Sequence, residues 1–236
     1  METKDDHKIE SAYLDNTFDE NLKKIPGLKW LPWIGVKYLQ NKFLIVGESH
    51  YDDGDDWFDY TNPTRELINL FGLLSRNPAY GNCAVLRNIE KTVYNKSQIS
   101  YEERERLWSS VSYYNLVQRI LPSRKYRPDE KDFDYGWEKF FKIVEIIKPK
   151  FVLKCGMSGD GRFGNMLTNN NPGWKYEDKE YYSIPRVMNL SRDNCQFKLL
   201  FINHPSGSFG YSFEEWGGII QRQFPEFINS LSEKYK

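Results

Sequence analysis

The sequence predicts an α/β fold, a three-layer α/β/α sandwich around a central, mainly parallel four-stranded sheet. Short continuous apolar runs such as Phe43-Leu44-Ile45-Val46-Gly47 end at glycine, as strands buried on both faces do. Segments with apolar residues at i, i+3, i+4 and i+7 alternate with these runs, the pattern of helices packed on a parallel sheet. The chain has 236 residues, 39% hydrophobic and 28% charged. That is enough for one core and lacks a disorder signature. No repeat, low-complexity tract or long linker divides it, so residues 1–236 are expected to form one domain.

Residues 1–25 are polar and charged, with apolar spacing only at Tyr13, Leu14 and Phe18. They are expected to form a surface helix or arm. Pro26-Gly27 and Pro32 punctuate the next stretch, and Leu31 to Gly35 suit an ordered loop. The first core strand is 43–47. After an acidic loop over 52–59, Pro63-Thr64 starts a helix carried by Leu67, Leu70, Phe71 and Leu74. Tyr114-Asn115 marks a further strand end. Trp137, Phe140, Phe141, Val144 and Ile147 define a long helix that Pro149 terminates. Phe151-Val152-Leu153 is the next strand, ending at Gly156. Gly159 to Gly164 fits a GxGxxG fingerprint, but Asn165 to Gly173 is turn-like, so a mobile loop near the site is expected. Leu199 to Ile202 is the last strand. A C-terminal helix bent at Pro225 buries Trp216, Ile219, Ile220, Phe224, Phe227, Ile228 and Leu231.

Lys plus Arg number 33 and Asp plus Glu 33, for a net charge of zero. A globally basic nucleic-acid binder is excluded, and any such contact must come from a local patch. Arg119, Arg124, Lys125, Arg127 and Lys131 supply one candidate. Three cysteines, with no CxxC pair, make neither a disulfide framework nor a four-Cys metal site. No apolar run approaches the roughly 20 residues of a membrane helix. The charged start Met1-Glu2-Thr3-Lys4-Asp5-Asp6 does not suit a signal peptide. A cytoplasmic protein without a membrane partner is expected. Asp52, Asp53, Asp55 and Asp56 suit a solvated loop better than a hard-cation site.

In open parallel sheets ligands bind outside the carboxyl ends of the strands. Two such ends carry reactive groups. Gly47-Glu48-Ser49-His50-Tyr51 offers a carboxylate, a hydroxyl, an imidazole and a phenol, and Asn203-His204-Pro205-Ser206 offers an amide and a second imidazole. Two of the chain's 3 His are therefore at sheet edges of one polarity. Each alone is as easily a structural histidine; together they suggest a site.

These segments resemble the motifs of the uracil-DNA glycosylase superfamily. Val46 to Tyr51 stands where that family has its Gly-rich turn, and His204-Pro205-Ser206 matches its second motif letter for letter. Tyr114-Asn115, the Pro- and Arg-containing stretch Pro122, Arg124, Arg127-Pro128, and Lys148 to Gly156 fall between them in the family's order. The resemblance spans residues 43–220. It implies an enzyme that flips a base out of DNA and hydrolyses its bond to the sugar, with no metal, no cofactor and no obligate protein partner. Cleavage builds positive charge on the sugar and negative charge on the base. By resemblance Glu48 is the catalytic carboxylate and His204 stabilises the leaving base. Asn115 reads the base edge, Tyr51 packs beside it with His50, and Phe58 or Phe71 stacks on it. Ser206, Ser208 and Phe209, with Arg124 and Arg127, contact DNA, Phe209 as the wedge. No lysine of the matched motifs is expected to act as an amine nucleophile, so the product is an abasic site without strand cleavage.

The chain departs from the family where Ser49 replaces a catalytic Asp or Asn of another branch, where His50 replaces a proline, and where Gly207 and Ser208 precede the wedge. These departures place a modified pyrimidine slightly ahead of plain uracil. The resemblance implies glucosylated hydroxymethylcytosine in phage DNA as an example, since some relatives excise such bases in antiviral defence, and a repair role stays open beside it. Two other classes fit the same residues: a non-catalytic nucleotide or nucleic-acid binding module of this fold, and a small-molecule hydrolase built on Ser49 and His204. The latter lacks the G-x-S-x-G elbow.

Overall fold

The structure, a computed structural model, describes residues 12–52, 54, 60–73, 83–170, 173–178, 186–206 and 210–232. Its first described segment is anchored, not loose. Leu14, Leu22 and Ile25 are buried, and the single turn α1 (Asp19–Leu22) closes against the body of the molecule. Arg65 fixes it there, with Nη1 and Nη2 donating to the Asp19 carboxylate at 2.9 and 2.6 Å and Nε to the carbonyl of Pro32 at 3.0 Å. Over its described part the expected surface helix or arm is a helical turn at the surface, with its apolar residues turned inward. Its few apolar residues and one aspartate all have interior partners.

Next come β1 (Trp33–Ile34), α2 (Tyr38–Asn41), β2 (Phe43–Gly47) and β3 (His50–Tyr51). Pro63 opens α3 (Pro63–Leu67) from its first turn, where a missing N–H costs nothing. The helix then widens into a π-helical turn over Ile68–Leu73. Leu74 lies outside the described residues. After α4 (Ala84–Tyr94), a capping box at Ser100 and Glu103 starts α5 (Tyr101–Ser110), which leads into β4 (Val111–Asn115) and β5 (Ile120–Leu121).

A second capping box, Asp129 with Asp132, starts α6 (Glu130–Ile147). Lys148 ends it in a left-handed conformation before Pro149. β6 (Phe151–Cys155) follows. The fingerprint segment is helical, as α7 (Asp160–Asn165) capped by Gly159, continuing as a π-helical turn over Met166–Asn170. The expected loop is thus corrected. The chain ends with β7 (Lys175–Asp178), β8 (Arg186–Arg192), β9 (Cys195–Ile202), α8 (Phe213–Gln223) and α9 (Pro225–Ser232). The break at Phe224, ahead of Pro225, is the expected bend.

Among the described residues the main sheet has seven strands in the order β1-β4-β2-β6-β9-β8-β7. The expectation of four is corrected. Four strands, β4-β2-β6-β9, run parallel at the centre, and β1, β8 and β7 extend them antiparallel. β3 and β5 form a small parallel pair beside the carboxyl ends. Alternate residues of the central strands serve two apolar clusters. Leu44, Val46, Val152 and Phe201 join Trp137, Phe140 and Phe141 of α6. Phe43, Ile45, Leu153 and Ile202 join Trp108, Trp216 and Phe227. Helices thus cover both faces, which forces ligand access to the strand ends. Among the described residues no helix is long and apolar enough to cross a membrane.

Candidate active site

Glu48 leaves the carboxyl end of β2 and is buried. Its carbonyl accepts from the Val117 N–H at 2.8 Å, tying the turn to the loop after β4. His204 leaves the parallel end of β9 two strands away. Gly156, after β6 between them, has φ +92 and lies against the His204 ring. A Cβ there would sit 3.1 Å from His204 Cδ2. The Gly156 N–H donates to Ile202 at 2.8 Å, so the ring rests on backbone held from both sides.

Between these two strand ends lies a residue the sequence did not single out. Lys154 of β6 is fully buried, and its Nζ donates to the carbonyls of Cys155 at 2.8 Å and Gly156 at 3.1 Å. Burial lowers its pKa, opposed chiefly by Glu48, with Cys155 and Asp160 acting in the same direction. Burial likewise lowers the pKa of His204; Glu48 opposes this, while Lys154 and Arg127 add to it. Glu48 thus acts on both Lys154 and His204, and Lys154 on His204. The three share one electrostatic neighbourhood, although no direct hydrogen bond joins their side chains among the described residues.

A second network stands beside them. Asn115, at the end of β4 opposite Gly47, accepts from the Tyr113 hydroxyl at 2.9 Å on Oδ1, and its Nδ2 meets His50 Nε2 at 3.0 Å. Thr64 Oγ1 lies 3.0 Å from the same nitrogen, and the edge of Trp30 packs on the ring with centroids 5.6 Å apart. Burial holds His50 neutral, with its pKa lowered to about 3. With Asn115 donating, Nε2 is the acceptor and Nδ1 carries the proton, an assignment made from the network. The Asn115 carbonyl accepts from Gln118, whose Oε1 accepts from the Trp30 N–H. Both ends of the Asn115 amide are therefore committed to neighbours. In this arrangement Asn115, expected to read the base edge, and His50 are tied to each other and to Tyr113 and Thr64.

No family model and no curated protein matches this chain.

The remaining expected site residues are scattered. Tyr51 is half-buried in β3, pairing with Leu121. Phe71 packs into the apolar cluster beneath the sheet, and its carbonyl accepts from Arg87, so its ring belongs to the core edge. Ser206 is exposed after the His204 turn, and Arg124 and Arg127 are exposed between β5 and α6. Of this basic stretch Arg127 acts on His204, whereas Arg119 is committed to Asp132 at 2.6 and 2.7 Å. Phe58, Ser208 and Phe209 lie outside the described residues, as does most of the acidic loop.

Ser49 Oγ is buried without a hydrogen-bond partner among the described residues, so no base activates it and the hydrolase alternative gains nothing. Tyr126, 58% exposed amid Arg124, Lys125 and Arg127, was not foreseen; its only sequence signal is an aromatic within a basic run. A cavity of about 340 Å³ is lined by Lys29, Gln118, Arg119, Lys131, Asp132 and Tyr135. Neither Glu48 nor His204 lines it. Among the described residues no cluster of His, Cys, Asp or Glu suits a metal ion.

Chemically, the strand ends offer a buried carboxylate able to face a developing cation. They also offer an imidazole, its pKa lowered by burial, able to donate to a developing anion.

Proposed function

We propose that this protein is a monofunctional DNA glycosylase that flips one nucleotide, hydrolyses its base–sugar bond and leaves an abasic site. Its substrate is a modified pyrimidine, such as glucosylated hydroxymethylcytosine in phage DNA, ahead of uracil. We take the four central parallel strands as the core of a uracil-DNA glycosylase-like sandwich working on DNA in the cytoplasm. The observation that carries the proposal is the convergence of Glu48 and His204. Far apart in sequence, they follow the parallel strands β2 and β9 at one carboxyl edge of the sheet, where Glu48 opposes the burial that lowers the His204 pKa.

In this proposal Glu48 stabilises the cationic sugar and orients water, and His204 donates to the departing base. Arg124, Arg127 and the segment from Ser206 bind the phosphate backbone. Lys154 does not serve as an amine nucleophile, because its Nζ is buried and bonded to two carbonyls. The product is then an abasic site that breaks only on later alkaline treatment.

The test is mass-spectrometric detection of bases released from phage and host DNAs by wild type, Glu48→Gln and His204→Ala. The expected result is release of a modified base by wild type and a loss of about 100-fold or more in each variant, with DNA binding kept. Release of uracil alone would end the modified-base assignment. Absence of release from every DNA, with binding intact, would leave a nucleic-acid binding module.

A further inference from the structure

We infer that Lys154 is a positioning residue of this site: its buried ammonium clamps the Cys155–Gly156 turn against the His204 ring and sets the charge that Glu48 and His204 experience. The consequence for base release rests on the glycosylase proposal; the clamp and the charge do not.

The geometry begins with the strand. β6 reads Phe151-Val152-Leu153-Lys154-Cys155, and Lys154 takes an interior position between Val46 of β2 and Phe201 of β9. Packing there asks only for a long side chain, which methionine would supply without the desolvation cost of a charge. The lysine instead places a cation at the centre of the carboxyl edge. Two of its three N–H donors hold the carbonyls of Cys155 and Gly156. Gly156 is the residue on which His204 lies, so the ammonium and the imidazole are joined through one peptide turn.

The electrostatic consequence follows from the neighbours. The charged groups acting on His204 are Glu48 after β2, Lys154 on β6 and Arg127 ahead of α6. Those acting on Lys154 are Glu48 and Asp160 of α7, while burial pushes the adjacent Cys155 thiol up to about 12. Lys154 is the buried cation of this set; Arg127 is on the surface, where solvent and salt screen it. Burial is the largest influence on His204 and Glu48 opposes it; removing the Lys154 charge takes away the buried cation that works with burial, so the Glu48 carboxylate offsets burial more fully. The imidazole then protonates at higher pH and loses its fitness as a neutral donor.

The experiment follows the His204 ring by NMR through a pH titration, in wild type and in Lys154→Gln, Lys154→Met and Lys154→Arg, with His204→Asn assigning the signal. Gln keeps an amide donor for the two carbonyls but no charge; Arg keeps the charge. The His204 midpoint is expected to rise in both neutral variants and to stay near the wild-type value in Lys154→Arg. Base release at pH 7 falls about tenfold or more in Lys154→Gln and recovers toward higher pH.

An unmoved midpoint in folded Lys154→Gln would overturn the inference. A shift of equal size in Lys154→Arg would do the same, since the charge would then not be its cause. Failure of both neutral variants to fold would make Lys154 a purely structural residue. A shifted midpoint with no base release by wild type would uphold the electrostatic role and sink the glycosylase proposal alone.

Discussion

Replacing Gly47 with alanine places one methyl group at the junction of the central sheet and the polar wall of the site. Gly47 has no left-handed backbone requirement, so the obstacle is space alone. The added Cβ would sit 2.1 Å from Asn115 Oδ1 and 2.3 Å from the Tyr113 hydroxyl. Both side chains are buried and bonded to each other at 2.9 Å. Overpacking costs about 1–3 kcal/mol, and parting that bond with both groups still buried costs about 1–3 kcal/mol more. Gly47→Ala is therefore expected to lose about 2–6 kcal/mol in urea unfolding. In a domain of this size that is a drop in Tm of roughly 5–20 °C.

Tyr113→Phe removes one of the two clashing oxygens. In the double variant the losses should fall short of additivity by about 1 kcal/mol or more. A Gly47→Ala protein within about 0.5 kcal/mol of wild type, or strict additivity with Tyr113→Phe, would refute this account of the wall.

Asp19→Ala strands the Arg65 guanidinium, 5% exposed, opposite a carboxylate position that is 14% exposed. Breaking such a pair is expected to cost about 3 kcal/mol in denaturant unfolding, and a loss below about 1 kcal/mol would mean that the N-terminal segment is held by its apolar residues instead. His50 gives a pH signature. Its folded pKa near 3 lies below the unfolded value near 6.5, so the unfolded state binds the extra proton between these values. This contribution is complete above about pH 6.5 and declines as pH falls, by about 1.4 kcal/mol per pH unit. Thermal unfolding between pH 5 and 7 should show a shallower slope in His50→Gln than in wild type; equal slopes would contradict the buried neutral assignment.

The central strands were legible because each of 43–47, 151–155 and 199–202 is apolar for most of its length, as burial on both faces requires. The long helix was legible from its period and from Pro149. The edges were not. β1 is two residues long and owes its existence to pairing with Tyr113 and Ser112. The antiparallel β7–β8 pair carries Glu177, Asn189 and Ser191, polar residues that break an apolar strand pattern, and no strand was expected there. At the candidate site, the placement of Glu48 and His204 after strand ends of one polarity was legible because the direction of those strands could be inferred. Lys154 was not, since a lone lysine in a chain with 33 basic residues reads as surface. Nor was the closure of Asn115 by Tyr113 and His50, a contact made only after three separated segments assemble.

The rims of the sheet differ in how they meet other molecules. On one side the chain itself covers β1: Asp15 donates to Ile34 at 2.8 Å and Val36 to Tyr13 at 3.1 Å. On the other, β7 is four residues long, with Lys175 and Glu177 turned to solvent. Unpaired peptide groups on a sheet rim are templates for intermolecular strand addition, and short, charged rims discourage it. Trimming the segment before β1, or neutralising Lys175 and Glu177 beside the exposed Tyr176, would therefore convert a self-limited sheet into one prone to stacking edge to edge and aggregating.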